Sequence, residues 1–184
     1  ETGLTGAKGL KADFLKGNIL LNLDSEDEGE LFIGCAGGQD TKVFMNYSRV
    51  AVNYDFTGFQ IKVSGLQGGH SGDDINKGRA NANKLLNRFL TQLASKYILY
   101  LCEIDGGNLH NAIPREAQAL CAVPMKDKES VRVDLNIYTA ELENEYAATE
   151  PNLRTELSSE SPCKEAIDMT TAGHLLRAVY AVHN

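Results

Sequence analysis

No run in this sequence approaches the ~20 consecutive apolar residues that a transmembrane helix needs, so a helical membrane span is excluded. Positive charge is scarce too. Lys8, Lys11 and Lys16 form the only basic cluster of note near a terminus, and a net charge of −7 argues against a nucleic-acid-binding surface. The cysteines Cys35, Cys102, Cys121 and Cys163 are widely separated and form no CxxC pair. Cys102 and Cys121 sit inside apolar runs, where a thiol is most often a small buried hydrophobe, so all four are expected to be reduced and structural, as in a cytoplasmic protein. HExxH, the Walker loop, GxSxG and the dinucleotide fingerprint are all missing, and Gly34-Cys35-Ala36-Gly37-Gly38 is too loose to count as one. No methionine precedes Glu1 and no signal-peptide pattern follows it, so the chain reads as an excised piece of a longer protein.

What is present supports a real core. The chain has 184 residues, 42% hydrophobic and 23% charged, a globular composition at a length that permits one domain or two. Ile19-Leu20-Leu21-Asn22-Leu23 and Leu31 to Ala36 read as strands, separated by the acidic stretch Asp24 to Glu30. Val43 to Tyr54 reads as exposed strands. From Phe59 the alternation is clean, with Phe59, Ile61 and Val63 facing one way and Gln60, Lys62 and Ser64 the other.

Ala82, Leu85, Leu86, Phe89, Leu90 and Leu93 then recur at helical spacing and predict a helix from about Gly78 to Ser95. Tyr97 to Ile104 and Ala117 to Val123 are expected strands. Val131, Leu135, Tyr138 and Leu142 predict a second helix running toward Tyr146, and Leu153 to Leu157 another strand. A last helix is expected with Thr171 as its cap. The order from Phe59 onward is strand, helix, strand, strand, helix, strand. That order suits an α+β fold: an antiparallel sheet with two helices packed on one face, the split βαβ or ferredoxin-like arrangement, preceded by additional strands.

Three clusters carry candidate chemistry. Gly65-Leu66-Gln67-Gly68-Gly69-His70-Ser71-Gly72-Asp73-Asp74 frames one histidine with four glycines, which permit positive φ and leave the imidazole exposed. On the residues alone, this is equally a plain turn or a binding loop. Gly106-Gly107-Asn108-Leu109-His110-Asn111-Ala112-Ile113-Pro114 offers the Asn111 amide, which both donates and accepts; an Asx-turn leading into a strand is the competing reading. The acidic stretch after Leu23 is either a solvated turn or a strand exit that places carboxylates for a metal. His174 and His183 fit a helix surface better than a ligand set.

Asn22-Leu23-Asp24-Ser25-Glu26-Asp27-Glu28-Gly29, Gly68-Gly69-His70-Ser71-Gly72 and Asn111-Ala112-Ile113-Pro114, in that order, resemble the co-catalytic two-zinc metallopeptidases. Within them the aminoacyl-histidine, or cytosol non-specific, dipeptidases are the most similar branch. The resemblance implies a catalytic domain holding two Zn2+ ions, with a lid domain inserted into it that often mediates dimerisation. By the same resemblance, Glu1 matches the metal-binding glutamate that follows the catalytic one, and Asp24 the aspartate on the other zinc. His70 matches the lid histidine that holds the scissile carbonyl oxygen, commonly across a dimer. Asn111 matches a lid asparagine that contacts substrate near its carboxylate end.

The resemblance further implies that residues 1–36 are a fragment of the catalytic domain with its connection, and residues 37–184 the lid. The family's remaining metal ligands and general base are absent from this chain, so the piece is expected to be inactive alone and to hold no zinc firmly. Expected partners are a small peptide substrate and a second copy of the lid. A dimerisation module without a catalytic role, or a related aminoacylase or tripeptidase, stays open.

Overall fold

A β-strand satisfies its backbone only through a neighbouring strand, and this decides the fate of the first apolar runs. The computed structural model describes residues 5–23, 28–34, 37 and 39–183. The chain divides into two units, residues 1–42 and residues 43–184. Among its described residues the first unit holds one short helix, α1 (Thr5–Lys8). The expected strands are not formed at Ile19–Leu23 or over the described part of the second run, residues 31–34: both run without regular structure, and Ile19, Leu20, Leu21, Leu23, Leu31 and Ile33 are exposed. No strand lies against either run among the described residues, so their hydrophobicity has no sheet to join. Cys35 and Ala36, at the end of the second run, lie outside the described residues.

The second unit contains, in order, β1 (Arg49–Ala51), β2 (Phe56–Ser64), β3 (Gly69–His70), α2 (Ala82–Lys96), β4 (Tyr100–Gly106), β5 (Ala112–Ile113) and β6 (Ala117–Pro124). It continues with α3 (Lys128–Glu145), β7 (Arg154–Glu160), β8 (Glu165–Ile167) and α4 (Met169–Ala181). Four strands form an antiparallel sheet in the order β4-β6-β2-β7. This is the α+β split βαβ arrangement that the strand and helix order predicts.

Alternation along β2 builds the core. Phe59, Ile61 and Val63 pair with Cys121, Ala119 and Ala117 of β6 and are all buried, while Gln60 between them is exposed. Leu85, Leu86, Phe89, Leu90 and Leu93 of α2, with Val131, Leu135, Tyr138 and Leu142 of α3, cover that face. Each such large apolar side chain contributes on the order of 1.5–3 kcal/mol when fully buried. Phe89 stacks on Tyr138 with ring centroids 5.2 Å apart, and the Tyr138 hydroxyl donates to the Leu85 carbonyl at 2.8 Å. Burial pushes the Tyr138 phenol up to about 12. Ala172 and Leu176 of α4 join the same core at the edge of the two helices. Lys84 Nζ donates to the Val179 and Tyr180 carbonyls at 2.9 and 2.8 Å, satisfying acceptors that the end of α4 leaves open.

Caps set two boundaries differently from the expectation. The Asn81 side chain accepts from the amides of Asn83 and Lys84 at 3.0 and 3.3 Å, which starts α2 at Ala82 rather than near Gly78. At α4 the capping side chain is Asp168, which accepts from the Thr171 amide at 2.9 Å; Thr171 is the residue capped. Asp168 also accepts from the Ser48 amide at 3.1 Å. Those two backbone donors hold its carboxyl below the usual aspartate range.

Two of the cysteines, Cys102 and Cys163, depart from the reduced state expected of them. On the opposite face of the sheet Phe56, Cys102, Ala122 and Ala166 form a smaller core, to which the antiparallel β1–β8 pair contributes Val50 and Ala166. The register of β4 against β6 shifts between Leu101 and Glu103, and Cys102 at that bulge is joined to Cys163 as a disulfide, with Cα atoms 6.4 Å apart. Their sequence separation of 61 residues conceals this proximity until β4 and the β7–β8 connection are folded together. Cys121 stays a free, buried thiol, pushed up to about 12 by desolvation.

Candidate functional site

The two glycine-rich clusters meet. β3 and β5, two residues each, pair antiparallel with Gly69 opposite Ile113 and His70 opposite Ala112. The Ser71 amide then donates to the Asn111 carbonyl at 3.0 Å. His70 and Asn111, 41 positions apart in the sequence, thus lie on adjoining backbones. Asn111 is exposed, and its turn is closed by the Ala112 amide donating to the Leu109 carbonyl at 3.3 Å. The backbone closes that turn, so the Asn111 side chain is not required for it.

The imidazole of His70 is held by its own loop. Its Nδ1 accepts from the amides of Gly72 and Asp73 at 3.1 and 3.3 Å. A nitrogen that accepts carries no proton, so the neutral ring has its proton on Nε2 and presents an N–H donor away from the loop. Asp73 Oδ2 lies 3.4 Å from the same Nδ1, a pairing that operates only for an imidazolium. The side chain is 53% exposed, accessible to a ligand.

Asp74 organises the turn beneath. It accepts from the His70 amide at 2.8 Å and pairs with Lys77 at 2.7 Å and Arg79 at 3.2 Å. The Lys77 ammonium, followed by the His70 amide, holds the Asp74 carboxyl below the usual aspartate range. Arg79 also donates to the Gly68 carbonyl at 2.5 Å. The exposed Lys77 end adds little stability, while Asp74 and Arg79, 17% and 23% exposed, fix the geometry of the turn. The glycine at position 69 is required: φ is +146°, and a Cβ there would overlap both Arg79 and Asp74. At Gly72 a Cβ would come within 3.2 Å of His70 Nδ1.

Glu150 was not singled out by the sequence. It is buried, and its carboxylate accepts from the amides of Gln67 at 2.7 Å and Ala80 at 2.9 Å. Next to the β3–β5 pair, Leu66, Asp105, Leu109, Pro114 and Arg115 help to line an open groove of about 880 Å³. His110, His174 and His183 are exposed residues. Glu1 and Asp24, the expected metal ligands, lie outside the described residues. Among the described residues no group of three or more His, Cys, Asp or Glu side chains is placed to hold a metal ion. The described residues therefore do not fit a zinc site.

Residues 54–150 match the family model of the peptidase dimerisation domain. The chain belongs to that family. The matched span contains His70, Asn111 and Glu150. Over all 184 residues the chain is 42% identical to the cytosol non-specific dipeptidase of Escherichia coli (strain K12), covering 38% of that protein. Among solved structures, the aminoacylhistidine dipeptidase of Vibrio alginolyticus superposes with a TM-score of 0.81 at 37% identity, over 100% of this chain and 38% of that one. The dimerisation domain and its flanking residues thus span well under half the length of these relatives. Among the described residues no helix of this domain is long and apolar enough to cross a membrane.

Proposed function

We propose that this chain is the lid and dimerisation piece of a dipeptidase, in which His70 donates a hydrogen bond to the scissile carbonyl oxygen of a bound dipeptide. The observation that supports it is the exposed imidazole whose Nδ1 is taken by the Gly72 and Asp73 amides, leaving Nε2–H as the outward donor. Such a donor is most effective where negative charge develops on an oxygen, and losing one raises a barrier by roughly 3–4 kcal/mol. Asn111, beside it, contacts the substrate near its carboxylate end. A movable lid that delivers both groups couples closure to chemistry.

In this reading residues 1–36 belong to the catalytic domain and its connection, and residues 37–184 to the lid. The parent hydrolyses aminoacyl-histidine and other dipeptides in the cytoplasm as a homodimer, with His70 reaching the partner's active site. Its two zinc ions are held largely by polypeptide outside this chain, with Glu1 and Asp24 as contributors, so no step of the chemistry is assigned to a metal. Supporting this are the family membership and the names of the two relatives.

A second reading, a purely associating module, draws support from Val133 and Ile137, one turn apart on α3 and 56% and 54% exposed. One experiment separates them. In the full-length protein, His70→Ala should lower kcat by about 10²–10³ with metal content and dimerisation unchanged. An unaltered kcat with dimers intact selects the associating module instead.

A further inference from the structure

A carboxylate removed from water is costly unless hydrogen bonds replace its hydration, so a buried acid marks a place where the fold needs an acceptor. Glu150 is 3% exposed. Its Oε2 accepts from the Gln67 amide at 2.7 Å and its Oε1 from the Ala80 amide at 2.9 Å. Gln67 and Ala80 are the two ends of the segment that carries His70. The Gln67 side chain adds a second tie at the first end, donating to the Thr149 carbonyl at 2.6 Å.

Contacts run from these ends to the ring. Arg79, adjacent to Ala80, holds the Gly68 carbonyl and the Asp74 carboxylate; Asp74 in turn accepts from the His70 amide. One buried side chain therefore sets the span of the loop, and the span sets where the imidazole stands. We propose that Glu150 is a positioning residue for His70, clamping both ends of the 67–80 segment on one carboxylate so that the Gly72 and Asp73 amides stay on Nδ1. Its catalytic consequence rests on the reading of His70 given above.

Glu150→Gln is the sharpest probe, because the amide keeps the shape but offers an NH2 group where one of the two backbone N–H groups needs an acceptor. In the full-length protein it should lower kcat about tenfold with KM nearly unchanged, and add nothing on top of His70→Ala. Exchange of the Gly72 and Asp73 amides should quicken about tenfold, while β2 and β6 keep their protection. Glu150→Asp, charged but one methylene short, should show the same pattern more weakly and serves if the glutamine variant folds poorly. Additive losses in the double variant, or a fall in kcat with unchanged exchange at Gly72 and Asp73, overturn the proposal. If His70→Ala itself leaves kcat intact, the carbonyl-donor role is lost, and exchange alone decides for Glu150: acceleration supports it, none overturns it.

Discussion

The helix-covered sheet and the His70 loop are built on opposite principles. Between β2, β6, α2 and α3 the contacts are apolar and spread over many side chains, so position is defined by packing. From Gln67 to Ala80 the anchors are few and polar: Glu150 at the ends, Asp74 and Arg79 within, and two amides on His70. The first region supplies most of the stability. The second uses little of it and places one nitrogen.

Substitutions should therefore affect the two regions separately. The largest effect on stability is expected for Phe89→Ala, which removes a ring 1% exposed and stacked on Tyr138; unfolding in denaturant should show a loss of about 3–5 kcal/mol. Gly69→Ala introduces a side chain where φ is +146° and should cost about 1–3 kcal/mol while displacing His70, seen as loss of the Gly72 and Asp73 hydrogen bonds by NMR. A loss confined to stability, with those bonds intact, would contradict the separation. Asn81→Ala deletes the α2 cap and should cost about 1 kcal/mol in thermal unfolding with the His70 loop unaltered.

The smallest effect is one of pH. Because its folded-state pKa is depressed by Lys77 and the His70 amide, Asp74 contributes stability above about pH 3.9, the value for an aspartate in an unfolded chain. That contribution is lost as the pH falls through the lower folded-state value. Carboxyl titration by NMR should give Asp74 a midpoint below about 3.9. A midpoint at or above that value would mean that Lys77 does not hold it.

The same contrast explains what could be read from the sequence. Period-2 alternation at Phe59, Ile61 and Val63, and helical spacing from Ala82 to Leu93, are local patterns that packing preserves, and both elements formed as expected. Ile19 to Leu23 carries an equally apolar signal, but a strand also needs a neighbour, which a local pattern cannot report. The glycines pointed to the His70 loop, yet the β3–β5 pairing is two residues long and joins segments more than 40 positions apart. Glu150 left no trace because its partners are backbone amides, which every residue but proline carries. The Cys102–Cys163 bond was hidden for a related reason: it depends on a bulge in β4 meeting a distant connection.

The role of the lid turns on which ring nitrogen of His70 faces outward. Long-range 1H–15N correlation spectra of histidine-labelled protein at neutral pH, assigned with the His70→Ala variant, report this directly. A neutral ring with an unprotonated Nδ1 and the proton on Nε2 is the predicted result. A neutral ring with its proton on Nδ1 instead would contradict it.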